Sequence, residues 1–223
     1  MRIILIPGLW LDGSAWDAVL PGLRDAGHDP VAVTLPGQDG STTATLDDQL
    51  DAVLAEIDAS PEPVFVVGHS AASGLAWLAA DRRREKVAKV AMIGGMPQPD
   101  GSAYMPFFEP VDGVVTFPGW EAFAGPDSDD LTAEHKQAFA AASHDVPQGV
   151  VTGTVRYTDP RRHDVPVVMV CPEYSPDDAK AWLAAGEIPE LEAAELTYAD
   201  IDSGHWPMFS RPVELAELLA DSA

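Results

Sequence analysis

The chain contains very little cysteine and few basic residues. Its 223 residues include one cysteine, and 13 lysines and arginines stand against 36 aspartates and glutamates, which gives a formal net charge of -23. A single cysteine cannot form an internal disulfide, and Cys171 lies in an apolar run where a buried strand residue is expected. A charge this negative opposes phosphate backbones and anionic lipid surfaces. The composition therefore disfavours binding to nucleic acid or to a membrane surface.

Long apolar segments and cofactor motifs are also missing from the sequence. No apolar run is long enough to span a bilayer, and Ile3–Ile6 is too short for the core of a secretory signal. No glycine-rich phosphate loop follows a strand pattern, and no histidine has cysteine or carboxylate partners at metal-ligand spacing. We expect a soluble, cytoplasmic protein that uses no metal, nucleotide or other cofactor.

Apolar strand patterns and amphipathic helix patterns alternate along most of the chain. The predicted strands are residues 2–6, 30–35, 64–69, 87–93, 165–171 and 196–201. The predicted helices are residues 14–26, 45–57, 71–84, 131–142, 176–185 and 212–219. This alternation specifies a parallel sheet with helices on both faces. We therefore predict a doubly wound α/β fold, and the length suits a single domain spanning 1–223.

The alternation lapses between Met96 and Asp164. Up to Pro126 this stretch is dense in proline, glycine and aspartate, and its only strong periodic pattern is the helix near 131–142. The strands before and after the stretch end on the same edge of the predicted sheet. We expect a cap-like insertion at about 96–164 that covers this edge and leaves a compact, apolar, partly open pocket.

Ser70 lies between a predicted buried strand and a predicted helix. The apolar run at 64–67 ends in the sequence GHSAA at 68–72. A sharp strand-to-helix turn here exposes the Ser70 hydroxyl and leaves the Ala71 amide unpaired at the helix start. The sequence is a Gly-x-Ser-x-Gly motif with Ala72 in place of the last glycine. The alternative interpretation is a serine that only caps the helix.

Three further residues follow strands that end on the same edge of the sheet. In a doubly wound sheet the carboxyl ends of the strands form one rim, so Leu9, Glu173 and His205 can meet Ser70 despite their separation in sequence. Along the chain the order is nucleophile, acid, histidine. A histidine that deprotonates a serine, while a carboxylate orients that histidine, forms a hydrolytic triad.

Several short segments carry a resemblance to a known family. They are Pro7-Gly8-Leu9 with Gly13 and Trp16, Ala26-Gly27-His28, Leu35-Pro36-Gly37, Gly68-His69-Ser70-Ala71 and Gly204-His205-Trp206-Pro207. In these segments, and in the order of the triad, the chain resembles the α/β-hydrolase superfamily over nearly its whole length. Within that superfamily it looks most like the small esterases related to plant methylesterases and hydroxynitrile lyases. The resemblance implies the α/β-hydrolase fold, and an oxyanion hole formed by the backbone amides of Leu9 and Ala71.

Two positions depart from the pattern of that family. Pro7 stands where the family usually has histidine, and Ser175 stands where it usually has the aspartate of the triad. We expect the loop at Pro7 still to turn, without any hydrogen bond that a histidine would make. Ser175 carries no charge to orient a histidine, so another carboxylate has to act as the acid.

Four carboxylates are candidates for the acid. Asp177 and Asp178 follow Ser175-Pro176, and this sequence suits a helix start with acids in its first turn. Asp100 follows the preceding strand, from which some members of the superfamily take the acid. Glu173 stands at a strand end without such a structural explanation, and its longer side chain can reach from a shifted position. We predict Glu173.

The sequence therefore predicts a serine hydrolase with Trp10 and Trp206 in its pocket wall. Ser70 attacks, His205 transfers the proton and Glu173 orients His205. The expected partner is a small-molecule substrate, a small to medium carboxylic ester, thioester or lactone, and the expected oligomeric state is monomer or homodimer. The alternatives are a lyase or carbon–carbon hydrolase that uses the same Ser-His pair, and a non-catalytic receptor for a small ligand.

Overall fold

A six-stranded parallel sheet forms the centre of the structure, a computed structural model that describes residues 1–192 and 194–223. Numbered along the chain, the strands are β1 (Arg2–Ile6), β2 (Asp29–Ala32), β3 (Val64–His69), β4 (Val87–Ile93), β5 (Val114–Val115), β6 (Val146–Pro147), β7 (Val167–Cys171) and β8 (Leu196–Asp200). The central sheet has the order β2-β1-β3-β4-β7-β8, and β5 pairs with β6 in a separate antiparallel ribbon. The predicted doubly wound α/β fold is confirmed.

Helices surround this sheet. They are α1 (Leu20–Asp25), α2 (Leu46–Asp58), α3 (Ala72–Arg82), α4 (Ala133–Ala142), α5 (Gln148–Val151), α6 (Pro176–Ala184), α7 (Pro207–Ser210) and α8 (Pro212–Ser222). α1 packs against α8 so closely that a Cβ atom on Gly22 would lie 2.7 Å from Ala216, and α2 packs against α3. In the described part of the chain, no helix has the length and apolarity needed to cross a bilayer.

The most buried strands are those next to the predicted site. All of β3 and β7 and the last four residues of β1 are buried, because these strands lie inside a parallel sheet that is covered on both faces. β1 lies between β2 and β3, so the connections that follow β1 and β3 leave the sheet in opposite directions. Such a reversal opens a crevice at the carboxyl ends of the two strands. Pro7 follows β1 and Ser70 follows β3, so both segments border this crevice.

The first helix and the second strand differ from their predictions. A helix beginning at Ser14 was expected, but residues 13–16 form a 3-10 turn whose cap is Asp12, which accepts the Ser14 amide at 2.8 Å. The α-helix begins only at Leu20. The strand predicted at 30–35 ends at Ala32, and the Leu35 amide donates to the side chain of Gln38 at 2.5 Å rather than to the sheet.

The stretch between β4 and β7 contains more structure than the one predicted helix. That helix is present as α4, and its first turn is capped by Thr132, which accepts the His135 amide at 3.1 Å. The β5–β6 ribbon, α5 and two 3-10 turns at 120–123 and 160–164 accompany it. These elements are too short to produce a periodic apolar pattern, so the sequence did not predict them.

Candidate active site

Ser70 occupies the turn between β3 and α3 in a strained conformation. Its φ angle is +55°, in the left-handed region that residues other than glycine rarely adopt. The Ser70 amide donates to Ile93 O at 2.7 Å, and its carbonyl accepts the Ser73 amide at 3.0 Å. A Cβ atom on Gly68 or Gly95 would collide with the backbone of this turn. The turn is therefore held on both sides by backbone contacts that only glycine allows.

A continuous chain of hydrogen bonds joins Ser70, His205 and Glu173. His205 Nε2 lies 2.9 Å from Ser70 Oγ, and His205 Nδ1 lies 2.7 Å from Glu173 Oε1. In the neutral imidazole that donates its Nδ1 proton to Glu173, Nε2 is free to accept the Ser70 hydroxyl proton. The structure thus brings together the three side chains predicted as nucleophile, base and acid.

Burial strengthens the contact between Glu173 and His205. Their side chains are only 16% and 14% exposed. Gly94, with a φ of +58°, leaves room for them, since a Cβ there would lie 3.2 Å from His205 Nδ1 and 3.3 Å from Glu173 Oε2. Among the described residues, Glu173 Oε2 has no hydrogen-bond partner. The charge of Glu173 is therefore directed mainly at the imidazole.

The other three candidate carboxylates have different partners. Asp178 forms the capping box of α6 with Ser175, accepting its amide at 3.0 Å and its hydroxyl at 2.6 Å. Asp177 pairs with a surface lysine at 2.9 Å, and Asp100 accepts a backbone amide from residue 157 at 2.8 Å. Glu173 is thus the one of the four that is hydrogen-bonded to the histidine.

Asp127 is a further carboxylate near the site, and the sequence analysis did not single it out. Its backbone carbonyl accepts the His205 amide at 2.8 Å. Burial raises the pKa of the Asp127 carboxyl, the negative charge of Glu173 raises it further, and the charge of His205 lowers it. Asp127 lies in a segment without periodic pattern, so no sequence signal placed it here.

His69 supports the loop that carries His205. Its Nε2 lies 2.7 Å from the His205 carbonyl oxygen, to which it can only donate. Burial first, and the charge of His205 second, lower the pKa of His69 to about 3. His69 is therefore a neutral, buried donor that links the turn at Ser70 to the loop at His205.

The amides predicted to form the oxyanion hole border the same crevice. Leu9 and Ala71 both line the cavity above Ser70, and within the described residues neither amide has a protein acceptor. Next to Leu9, Trp10 has a φ of +64°. The Trp10 carbonyl accepts the His144 amide at 2.9 Å, and the Trp10 indole donates to Val115 O at 3.2 Å. The stretch between β4 and β7 therefore holds this loop in a strained conformation.

The cavity above Ser70 has a volume of about 530 Å³. Trp10 and Trp206 both line this cavity, and both are buried. Apolar and aromatic side chains that were not predicted as part of the wall extend it: Met105, Phe107, Phe108, Phe123, Tyr174 and Trp182. Among the described lining residues the carboxylates are Glu173 and Glu187, and none is a lysine or arginine. The wall of the pocket is thus mainly apolar, and the described part of it contains no lysine or arginine.

Several solved structures share this fold over almost the full length of both chains. A pyrethroid hydrolase from Sphingobium faniae JZ-2 is 21% identical with a TM-score of 0.79, covering 99% of this chain and 96% of that one. An extracellular alpha/beta-hydrolase from a Paenibacillus species is 15% identical with a TM-score of 0.81, covering 100% and 99%. The methylesterase MES16 from Arabidopsis is 17% identical with a TM-score of 0.76, covering 100% and 98%. No curated protein sequence matches this chain.

A family-wide sequence profile gives the stronger assignment. The profile described as the alpha/beta hydrolase family matches residues 3–218, which include all of the residues predicted for the site. The structural neighbours, among them plant methylesterases, agree with the resemblance seen in the sequence. The chain therefore belongs to the alpha/beta hydrolase family.

Proposed function

We propose that this protein is a serine hydrolase that cleaves uncharged carboxylic esters of small to medium size through an acyl-enzyme intermediate. The observation that carries the proposal is the hydrogen-bonded chain from Ser70 Oγ through His205 to Glu173, with distances of 2.9 and 2.7 Å. A serine in this arrangement is activated by the adjacent base, which in turn is oriented by the carboxylate.

Each residue of the site has a defined role in the reaction. Ser70 attacks the ester carbonyl while His205 Nε2 takes its proton, and the amides of Leu9 and Ala71 donate to the oxyanion that develops. His205 then gives the proton to the departing alcohol. Water attacks the acyl-enzyme by the same route in reverse, which releases the acid and restores Ser70. Glu173 stabilises the imidazolium that His205 becomes in both steps.

The pocket supports an apolar, uncharged substrate. Its volume of about 530 Å³ is within the range of about 300–1,000 Å³ usual for small-ligand sites. Its wall is mainly aromatic and aliphatic, and no lysine or arginine among its described residues could pair with an anionic group. The esterase neighbours, a methylesterase and a polyneuridine aldehyde esterase, support an ester rather than another substrate class. Thioesters and lactones present the same reactive carbonyl and belong to the proposal.

The alternatives lack a comparable observation. A lyase that uses the Ser-His pair as acid and base usually needs a cation to hold the departing anion, and the described pocket wall has none. A receptor that only binds needs neither the strained turn at Ser70 nor the aligned imidazole. Hydrolysis uses both features.

A series of 4-nitrophenyl esters from acetate to palmitate tests the proposal. We expect turnover that is highest for short and medium acyl chains and declines for long ones, with a burst of nitrophenol from the first acylation if deacylation is slower. Ser70→Ala should abolish turnover and burst without changing the melting temperature. Ser175→Ala is the matched control, because Ser175 caps a surface helix. Turnover that survives in Ser70→Ala, or that is highest on 4-nitrophenyl palmitate, would contradict the proposal.

A further inference from the structure

The loop that carries His205 is bound by a short segment of the insertion. Gly204 N donates to Asp130 Oδ2 at 2.8 Å, and His205 N donates to Asp127 O at 2.8 Å. Both acceptors lie in the segment 126–130, which is far from the histidine in sequence and outside the central sheet. The two consecutive amides that lead into the imidazole therefore have acceptors only because the insertion supplies them.

The segment 126–130 also packs closely against the loop that carries His205. A Cβ atom on Gly204 would lie 2.5 Å from Asp130 Oδ1 and would also collide with the Asp127 carbonyl. Ser128, between the two acceptors, is 1% exposed. Glycine at 204 thus allows the segment 126–130 to approach the loop to hydrogen-bonding distance.

The same loop is also held by His69, the residue before Ser70. The His69 Nε2 proton is donated to the His205 carbonyl at 2.7 Å. The backbone around the imidazole is therefore held by three long-range hydrogen bonds, at the amides of Gly204 and His205 and at the carbonyl of His205. The insertion supplies the partner in two of these three.

We propose that Asp130 is a positioning residue for the reaction, because its carboxylate accepts the Gly204 amide and so fixes the imidazole of His205 between Ser70 and Glu173. This inference rests on the proposed function. A displacement of about 1 Å in a reacting group can cost about 10²-fold in rate even when its cause lies away from the reaction centre. The insertion then contributes to the chemistry, in addition to covering the pocket.

Three variants of the full chain test this role. Asp130→Ala removes the acceptor, Asp130→Asn keeps an amide oxygen that can accept the same proton, and Asp129→Ala removes an equal charge from the exposed neighbouring position. The assay measures kcat and KM on a neutral chromogenic ester, the rate of fluorophosphonate inactivation and the melting temperature. We expect Asp130→Ala to lower kcat and the inactivation rate by about 10²-fold with KM little changed. Asp130→Asn should restore most of both rates, and Asp129→Ala should retain them.

A second change tests the same contact if Asp130→Ala does not fold. Gly204→Ala leaves Asp130 intact but forces the segment 126–130 away from the loop, and the φ of Gly204 is outside the left-handed region, so alanine fits its backbone conformation. We expect the same selective loss of kcat. Unchanged kcat in a folded Asp130→Ala or Gly204→Ala variant would overturn the inference, as would an equal loss in Asp130→Asn or in Asp129→Ala. Activity that persists in Ser70→Ala instead contradicts the proposed function, so the two failures are distinguishable.

Discussion

His205 contacts a different partner through each of its polar groups. One ring nitrogen faces Ser70 and the other faces Glu173, while its backbone amide and carbonyl are bound by Asp127 and His69. An imidazole fixed in this way keeps one tautomer, with the proton on the nitrogen that faces the carboxylate. The imidazole therefore depends on contacts from three other parts of the chain, at 69–70, 127 and 173.

The identity of the acid is tested by comparing two variants in which a carboxylate is replaced by its carboxamide. Glu173→Gln keeps the size of the side chain but removes the charge that stabilises the imidazolium, so turnover should fall by up to about 10⁴-fold, as for the corresponding change in a serine protease. Asp127→Asn should have a much smaller effect, since Asp127 meets His205 through its backbone carbonyl. Steady-state kinetics on one ester compares them. Near-normal turnover in Glu173→Gln together with a large loss in Asp127→Asn would assign the acid to Asp127.

Because His69 is buried and neutral, we expect the stability of the protein to depend on pH. Because the pKa of His69 is about 3 in the folded protein against an ordinary value of 6.5, the unfolded chain binds more protons between these values. The free energy of unfolding should therefore decrease as the pH falls from about 6.5 towards 3. His69→Gln, which keeps an N–H donor, should make that decrease smaller. Urea unfolding at several pH values measures it, and parallel curves for the two proteins would contradict the prediction.

The sequence supplied some residues of the site and missed others for a physical reason. Ser70 and His205 could be located because each follows a recognisable strand, and strand ends meet on one rim. Asp127 and Asp130 could not, because they reach the site through an irregular insertion whose path depends on tertiary contacts. The roles assigned to Ser70, His205 and the other site residues remain predictions until the variants are measured.

At the scale of single elements, features that depend on local sequence were predicted better than features that depend on tertiary contacts. The starts of α2 and α6 agree with the predicted ones to within one residue, because each is fixed by a capping box whose hydrogen bonds lie within four residues. The second strand was predicted too long, because Gln38, whose side-chain amide donates to the distant carbonyl of Leu11, accepts the Leu35 amide outside the sheet. Tertiary contacts of this kind produce no periodic pattern in the sequence.

The N-cap of α6 allows a test in which stability should change and turnover should not. Ser175 stands where related enzymes usually have the acid, yet here it accepts the Asp178 amide at 3.2 Å as the N-cap. Ser175→Ala should therefore lower the free energy of unfolding by about 0.5–2 kcal/mol while leaving turnover unchanged. Denaturant unfolding and an esterase assay on the same preparation measure both. A loss of turnover without a loss of stability would assign Ser175 a part in the reaction.

At the scale of the whole molecule, the dominant feature is the net charge of -23. Like charges repel most in the compact state, and added salt screens them over a Debye length of about 8 Å at physiological ionic strength. The melting temperature should therefore rise between low and moderate sodium chloride. Differential scanning calorimetry at fixed pH tests this, and a flat or falling melting temperature would contradict it.

The single-domain organisation, the oligomeric state and the cytoplasmic location remain predictions.

The central claim is that Ser70 is a nucleophile activated by His205, and a fluorophosphonate probe tests it most directly. The probe reacts with a serine that has both a base and an oxyanion hole, so intact-mass spectrometry should detect one adduct per chain, and peptide mapping should place it on Ser70. Ser70→Ala should carry no adduct, and His205→Ala should react far more slowly. An adduct on another residue, or labelling that survives in a folded Ser70→Ala variant, would contradict the account.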